Sequence, residues 1–180
     1  EDESWLLWVA FVAPHTPYHV PPADLHSAGD LSPEAQAIGA DPRTYQQAVI
    51  EAMDTELGRL LQGMEARGMG ETDILFLGDN GTEASAVQPP RDRRRAKETL
   101  FQGGVHIPLC VAGPSVASPG RSSDALIHAV DLFATVGQLF GLDPAWDLPD
   151  THVFDSQGFG EVLWTSTSHG PRSWNYTEGF

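Results

Sequence analysis

Continuous apolar runs that end at proline or glycine are the feature that most constrains the fold of this chain. They occupy residues 5–13, 73–78 and 106–112. Runs of this kind have no polar face, so each predicts a strand that is covered on both sides by other elements. Residues 44–67 and 123–140 instead carry apolar side chains at helical spacing and predict two long helices. Strands that alternate with helices favour an α/β fold, with a mostly parallel sheet flanked by helices.

The charge of the chain limits the partners that it can bind. Ten basic and twenty-five acidic residues give a formal net charge of −15, which argues against nucleic acid or an anionic membrane as the main partner. No apolar run reaches the ~18 residues that a membrane span requires. The single cysteine, Cys110, cannot form an internal disulfide, and its position in a predicted strand indicates a small buried apolar residue.

The first apolar run leads directly into the proline-rich segment APHTPYHVP, residues 13–21. Proline fixes its own φ and restricts the residue before it, so the segment is predicted to be rigid and to hold His15 in a defined place. A rigid loop suits a catalytic histidine and an ordinary structural turn equally well. The segment alone leaves both interpretations open.

The second apolar run ends in the sequence GDNG, residues 78–81. Ligands of open α/β sheets bind beyond the carboxyl ends of the strands. Asp79 and Asn80 would offer adjacent oxygen ligands there, of the kind that Ca²⁺ and Mg²⁺ prefer, while Gly78 and Gly81 would allow a sharp turn of the backbone. The same sequence also describes a simple turn, and two ligands do not complete a metal site.

Lys97 is the single lysine among the ten basic residues. A lysine ammonium group is a compact charge with three donors, which suits one oxygen of a tetrahedral anion. Chance explains a single lysine as well. The preceding stretch RDRRR, residues 91–95, resembles an anion-binding patch but is expected to form a solvated face of a loop.

Five motifs, taken in order, carry a resemblance that none of them carries alone. The series resembles the sulfatase family, within the alkaline-phosphatase-like superfamily, and covers roughly residues 5–178. The motifs are FVAPHTPYHVP, YQQAVIEAMDTELGRLL, DILFLGDNG, AKETLFQGGVHIPLCVAGP and HAVDLFATVGQLFGL.

The resemblance implies a role for each candidate residue. His15 is similar to the sulfatase histidine that contacts the sulfate ester and protonates the leaving oxygen, and Lys97 to the lysine that binds sulfate oxygens. Asp79 and Asn80 are similar to two ligands of the active-site divalent cation, usually Ca²⁺, with Mg²⁺ or Mn²⁺ as alternatives. The implied substrate is a small-molecule or saccharide sulfate ester.

The resemblance also implies that residues 1–180 are a partial, incomplete catalytic domain. The Asp-Asp metal pair and the Cys-x-Pro-Ser-Arg sequence, whose cysteine becomes the formylglycine nucleophile, do not occur in this chain, and Cys110 is followed by Val-Ala-Gly. We therefore expect neither turnover nor a tightly bound metal ion from these residues alone.

Three functions stay open on the sequence. The first is a sulfatase that cleaves sulfate esters with a formylglycine nucleophile and a divalent cation. The second is a phosphodiester or phosphonate monoester hydrolase of the same superfamily, in which serine or threonine replaces the nucleophilic cysteine. The third is a non-catalytic, sulfatase-like binding module. Each of the first two predicts that His15, Asp79, Asn80 and Lys97 converge at one end of the sheet.

Overall fold

The computed structural model describes residues 3–142, 151 and 153–179. These residues divide into two compact units, one made of described residues within Glu1–Trp5, Thr72–Phe76 and Leu109–Glu178, the other within Leu6–Glu71, Leu77–Pro108 and Gly179–Phe180. No helix in the described ranges has the length and apolar character that a membrane span requires. The elements are α1 (Ala35–Ala40), α2 (Pro42–Glu65), β1 (Ile74–Leu77), α3 (Gln102–Val105), β2 (Leu109–Ala112), α4 (Asp131–Leu139) and α5 (Gly160–Thr165), with 3₁₀ turns at Ala23–Leu25, Ala84–Ala86 and Arg93–Arg95.

Helix α2 is the longest element of the second unit, and local sequence accounts for both of its ends. The side chain of Asp41 accepts hydrogen bonds from the backbone N–H and the hydroxyl of Thr44, and Pro42 occupies the first turn. Gly68, with φ of 76°, follows the last turn. The helix predicted for 44–67 is confirmed, although it begins two residues earlier than the sequence indicated.

The core of the second unit joins α2 to the proline-rich segment. Buried Tyr18, Tyr45 and Ala86 form a cluster, and partly buried apolar side chains pack around it. The hydroxyl of Tyr45 donates to the carbonyl of Ser32 (2.8 Å). This cluster holds the segment that follows His15 against α2 and the Ala84–Ala86 turn.

The two strands pair with each other and run antiparallel. The backbone N–H of Gly78, after β1, donates to the carbonyl of Pro108, before β2 (3.1 Å). At the other end, the carboxylate of Asp73 accepts from the N–H and the hydroxyl of Ser115. In a parallel pair the start of β1 would lie beside the start of β2, whereas here the end of β1 lies beside the start of β2. The described residues thus contain helices and strands, and the predicted mostly parallel sheet is not confirmed.

The strand predicted at residues 5–13 does not form. Residues 6–12 have no regular structure, and their large apolar side chains are between 40% and 85% exposed. A strand exists only when its backbone groups pair with a neighbour, and no described residue pairs with this segment in a sheet. The apolar character of residues 5–13 indicates a segment that is suited to burial, but it does not indicate which strand would pair with it.

Two further predictions for the first unit need correction. The helix predicted for 123–140 covers only Asp131–Leu139, and the Asp131 carboxylate accepts from the backbone N–H of His128, just before the helix (2.8 Å). Cys110 is exposed, not buried. Side chains alternate along β2, so Leu109 and Val111 face the core and Cys110 faces the opposite way.

The first unit has its own core and a buried ion pair. Phe159, Val162 and Leu163 form the buried cluster, beside which Asp131 is fully buried. Arg172 binds both carboxylate oxygens of Asp131, with Nη2 at 2.6 Å and Nε at 2.7 Å. Burial opposes ionisation of Asp131, but hydrogen bonds from Arg172 and from backbone N–H groups outweigh it and lower the pKa of this carboxyl.

Asp131→Asn is expected to lower the free energy of unfolding by about 3 kcal/mol, because it leaves the charge of Arg172 largely buried without its partner. Since the folded-state pKa of Asp131 is lowered, its contribution is complete above the unfolded value of about 3.9 and is lost as the pH falls through the folded value. Urea unfolding at several pH values measures both effects.

The control is Asp92→Asn, which breaks the exposed pair between Asp92 and Arg94. This change should leave the free energy of unfolding nearly unaltered, because exposed ion pairs are screened by water. Equal effects of the two substitutions would contradict the structural importance of the buried pair.

Candidate active site

His15 lies in a tight turn whose geometry fixes the orientation of its ring. Its backbone N–H donates to the carbonyl of Val12 (2.9 Å), which closes a turn over residues 12–15. The ring Nδ1 lies 2.6 Å from the carbonyl oxygen of Thr16. A carbonyl oxygen can only accept, so Nδ1 carries a proton and donates it to Thr16. The ring is exposed, and Nε2 is available to a second partner.

That partner is Lys97, which lies 82 positions further along the chain. The Nζ atom of Lys97 is 3.1 Å from Nε2 of His15. An ammonium group can only donate, so the neutral ring accepts at Nε2, in agreement with its donation at Nδ1. The structure therefore brings together the two residues for which the sequence predicted catalytic roles, and one ammonium proton already points at the histidine.

Asp79 and Asn80 belong to a segment that is hydrogen-bonded beside Lys97. The backbone N–H of Lys97 donates to the carbonyl of Thr82 (2.9 Å). The backbone N–H of Gly81 donates to the carbonyl of Gly104 (2.9 Å). The side chains of Asp79 and Asn80 are exposed. In the part of the chain that the structure describes, neither forms a hydrogen bond or an ion pair.

Three glycines, Gly81, Gly103 and Gly104, allow the backbone segments around the candidate site to pack closely. A Cβ atom on Gly81 would overlap the carbonyl oxygen of Gly103 and lie 2.8 Å from the Cα of Gly104. One on Gly103 would overlap the carbonyl of Arg95, and one on Gly104 that of Thr99. None of these glycines has a positive φ. The sequence suggested that Gly81 permits a sharp turn, whereas its function in the structure is to let two backbones touch.

The turn that carries Lys97 is also tightly held. Ala96 is buried, and the hydroxyl of Thr99 donates to its carbonyl (2.7 Å). Glu98 has φ of 70°, a left-handed conformation that costs free energy for a residue with a side chain. Nothing in the sequence marks Thr99 or Glu98 as part of the site, because Thr99 acts through a hydrogen bond to the backbone and Glu98 through its own backbone conformation.

Buried Tyr18 anchors the segment that carries His15. Burial raises the pKa of its phenol, and the nearby carboxylate of Glu83 raises it further. The ring is therefore neutral at ordinary pH, and it stabilises the segment by packing against Tyr45 and Ala86. Neither contact could be predicted from the spacing of the residues.

The donor atoms of Asp79 and Asn80 suit a hard divalent cation. One carboxylate and one amide carbonyl, both exposed and without protein partners, are oxygen ligands of the type that Ca²⁺ and Mg²⁺ bind. Within residues 3–142, 151 and 153–179, however, no three His, Cys, Asp or Glu side chains are grouped closely enough to hold a metal ion. These two residues thus fit part of a metal site.

Comparison with known proteins identifies the family of this chain. The family model described as Sulfatase matches residues 1–142, and the chain therefore belongs to the sulfatase family. It is 28% identical to the steryl-sulfatase of Mus musculus over 88% of this chain and 24% of that protein. It is 30% identical to arylsulfatase K of Xenopus laevis over 57% of this chain and 18% of that protein.

A third relative, arylsulfatase G of Mus musculus, is 25% identical over 93% of this chain and 31% of its own length. The chain thus spans between about a fifth and a third of these curated relatives.

Gly81→Ala is expected to destabilise the protein by about 1–3 kcal/mol, because the added methyl group forces Gly103 and Gly104 away. Urea unfolding measures the change, and the ring resonances of His15 should shift as Lys97 moves. Gly58→Ala in α2 is the matched control: its Cβ meets no atom within 4 Å, so alanine should stabilise the helix by about 0.5–1 kcal/mol. Equal effects at both positions would contradict the role of close packing.

Proposed function

We propose that this chain contributes the sulfate-binding and proton-donating side of a sulfatase active site, and that the intact protein hydrolyses sulfate esters. The observation that carries the proposal is the 3.1 Å contact between Lys97 and His15, in a chain that belongs to the sulfatase family. A cation in contact with an exposed titratable ring forms a minimal site for an anionic ester.

Lys97 would bind the sulfate group. Its ammonium group has three donors, of which His15 accepts one, so two remain for sulfate oxygens. The positive charge would stabilise the negative charge that develops on these oxygens in the transition state. The backbone bond from Lys97 to Thr82 and the packed glycines would hold the lysine in place before the substrate binds.

His15 would act as the general acid. An anion bound beside the ring favours the protonated imidazolium, which can then donate from Nε2 to the leaving oxygen of the alcohol or phenol. The hydrogen bond from Nδ1 to Thr16 keeps the ring in one orientation through this change. Proton donation of this kind contributes ~10²–10⁴ to the rate.

Asp79 and Asn80 would hold part of a divalent cation site, with Ca²⁺ favoured and Mg²⁺ or Mn²⁺ as alternatives. When bound, the cation would polarise the sulfate and neutralise its charge. We propose that the remaining ligands and the formylglycine nucleophile belong to the rest of the intact protein. Neighbouring strands from that part, in a mostly parallel sheet, would cover the exposed apolar side chains of residues 6–12.

Inorganic sulfate tests the site in this chain without turnover. We expect sulfate to shift the ring resonances of His15 in a nuclear magnetic resonance titration, and Lys97→Ala to weaken its binding about tenfold, because a charged hydrogen-bond donor is lost. Arg59→Ala, on the exposed surface of α2, is the control and should leave sulfate affinity unchanged. Unchanged affinity in the Lys97 variant would contradict the assignment. Much tighter binding of phosphate would favour the phosphodiester or phosphonate hydrolase instead.

Calcium should bind this chain weakly, with a Kd above roughly 10⁻⁴ M, because Asp79 and Asn80 supply few of the 6–8 oxygen ligands that the ion takes. Calorimetric titration measures this affinity. Micromolar binding that Asp79→Ala abolishes would show that the chain holds a complete site and that it is not a partial domain.

A further inference from the structure

Residues 82–97, which we call the arginine loop, form an ordered structure that begins and ends at the candidate active site. Its two ends are joined by the bond from Lys97 N–H to the Thr82 carbonyl (2.9 Å). Midway, Nε of Arg93 donates to the carbonyl of Ala84 (2.8 Å). At its tip, the N–H of Arg91 donates to the carbonyl of Gln88 (3.1 Å). Cross-links at three levels give the loop a defined shape.

A polar cleft lies between the tip of this loop and the first turn of α2. Its volume is about 380 Å³, and hydroxyl, amide and charged groups dominate its walls. The residues that line it are Asp41, Arg43, Thr44, Gln47, Gln88 and Pro89. The carboxylate of Asp41 already accepts two hydrogen bonds from Thr44, and the bond from the Thr44 hydroxyl lowers the pKa of Asp41.

Arg43 lines the cleft, and Arg91 lies beside it, because the Arg91 N–H is bonded to the carbonyl of the lining residue Gln88. Arg94 is paired with Asp92 at 3.1 Å, and Arg95 lies over the ring of Phe101 at 4.7 Å. By contrast, Arg43 and Arg91 form no ion pair within the described ranges. Both are exposed, in a chain whose net charge is −15. Residues 41–47 and 88–95 together carry five arginines and two aspartates, so this part of the surface is positive although the chain as a whole is strongly negative.

We propose that the cleft binds the anionic saccharide portion of the substrate, through Arg43 and Arg91. This inference rests on the proposed function, and it narrows the substrate class to saccharide sulfate esters that carry a further sulfate or carboxylate group. Guanidinium groups bind such groups with two parallel hydrogen bonds. Thr44, Gln47 and Gln88 supply the hydroxyl and amide groups that pair with sugar hydroxyls, and Pro89 is the one apolar side chain in the lining.

The dimensions of the arginine loop allow one ligand to reach both Lys97 and the cleft. The arm from Thr82 to Gln88 includes the 3₁₀ turn Ala84–Ala86. At the usual rise of extended chain and of 3₁₀ helix, this arm spans at most roughly 18 Å. A short oligosaccharide can therefore place one sulfate at Lys97 and a second anionic group in the cleft.

The test compares two double variants that remove the same charge from the full 180-residue chain. Arg43→Gln with Arg91→Gln alters the cleft and the loop tip beside it, whereas Arg59→Gln with Arg67→Gln alters the C-terminal part of α2 and the turn after it. The probes are a heparin-derived tetrasaccharide and inorganic sulfate, and calorimetry measures their affinities. We expect the cleft variant to bind the tetrasaccharide about tenfold more weakly and inorganic sulfate unchanged, while the control variant changes neither affinity by more than about twofold.

Equal losses in the two double variants would indicate general attraction of a polyanion and would overturn the proposal. An unaffected cleft variant, or absence of tetrasaccharide binding, would overturn it as well. Failure of the proposed function gives a different result, because Lys97→Ala would then leave inorganic sulfate affinity unchanged. If the tetrasaccharide still required Arg43 and Arg91 in that case, the cleft would stand as an anionic saccharide site and the assignment of Lys97 would fall.

Discussion

Direct backbone packing of Gly81 against Gly103 and Gly104 is the constraint on which the candidate site depends. Hydrogen bonds from the N–H of Gly81 to Gly104 and from that of Lys97 to Thr82 form only if these segments approach more closely than any side chain permits. A methyl group on Gly81 would separate it from Gly103 and Gly104, and one on Gly103 or Gly104 would push against the backbone of residues 95–99, which carries Lys97. The positions of the predicted metal ligands and of the lysine are thus coupled through glycine, not through contacts between their own side chains.

The contact between Lys97 and His15 forms in the protein alone, so the proposed site would be arranged before a substrate binds. Because Nδ1 donates to Thr16, the ring presents its acceptor to the lysine, and the lysine is held by its own backbone bond. Little reorganisation would then be needed for the proposed anion to bind the ammonium group. The turn that holds Lys97 costs conformational free energy, because Glu98 adopts a left-handed conformation there.

Exposed apolar residues and ordered arginines give the second unit two unlike surfaces. The apolar residues 6–12 are suited to a sheet but have no partner strand among the described residues. The arginines of residues 91–95 are also exposed, yet hydrogen bonds and an aromatic contact hold several of them. The apolar residues 6–12 are therefore exposed because no described residue covers them, whereas the arginines of residues 91–95 are held in positions that face water.

The sequence by itself determined what depends on local interactions. It predicted α2, because helical periodicity acts within a few residues. Its motifs also identified the family and the two residues now seen in contact. The antiparallel pairing of β1 and β2 and the His15–Lys97 contact were decided only by the tertiary structure. Both the strand pairing and the side-chain contact join groups that are distant in sequence. A local sequence pattern does not indicate which distant residue such a group will contact.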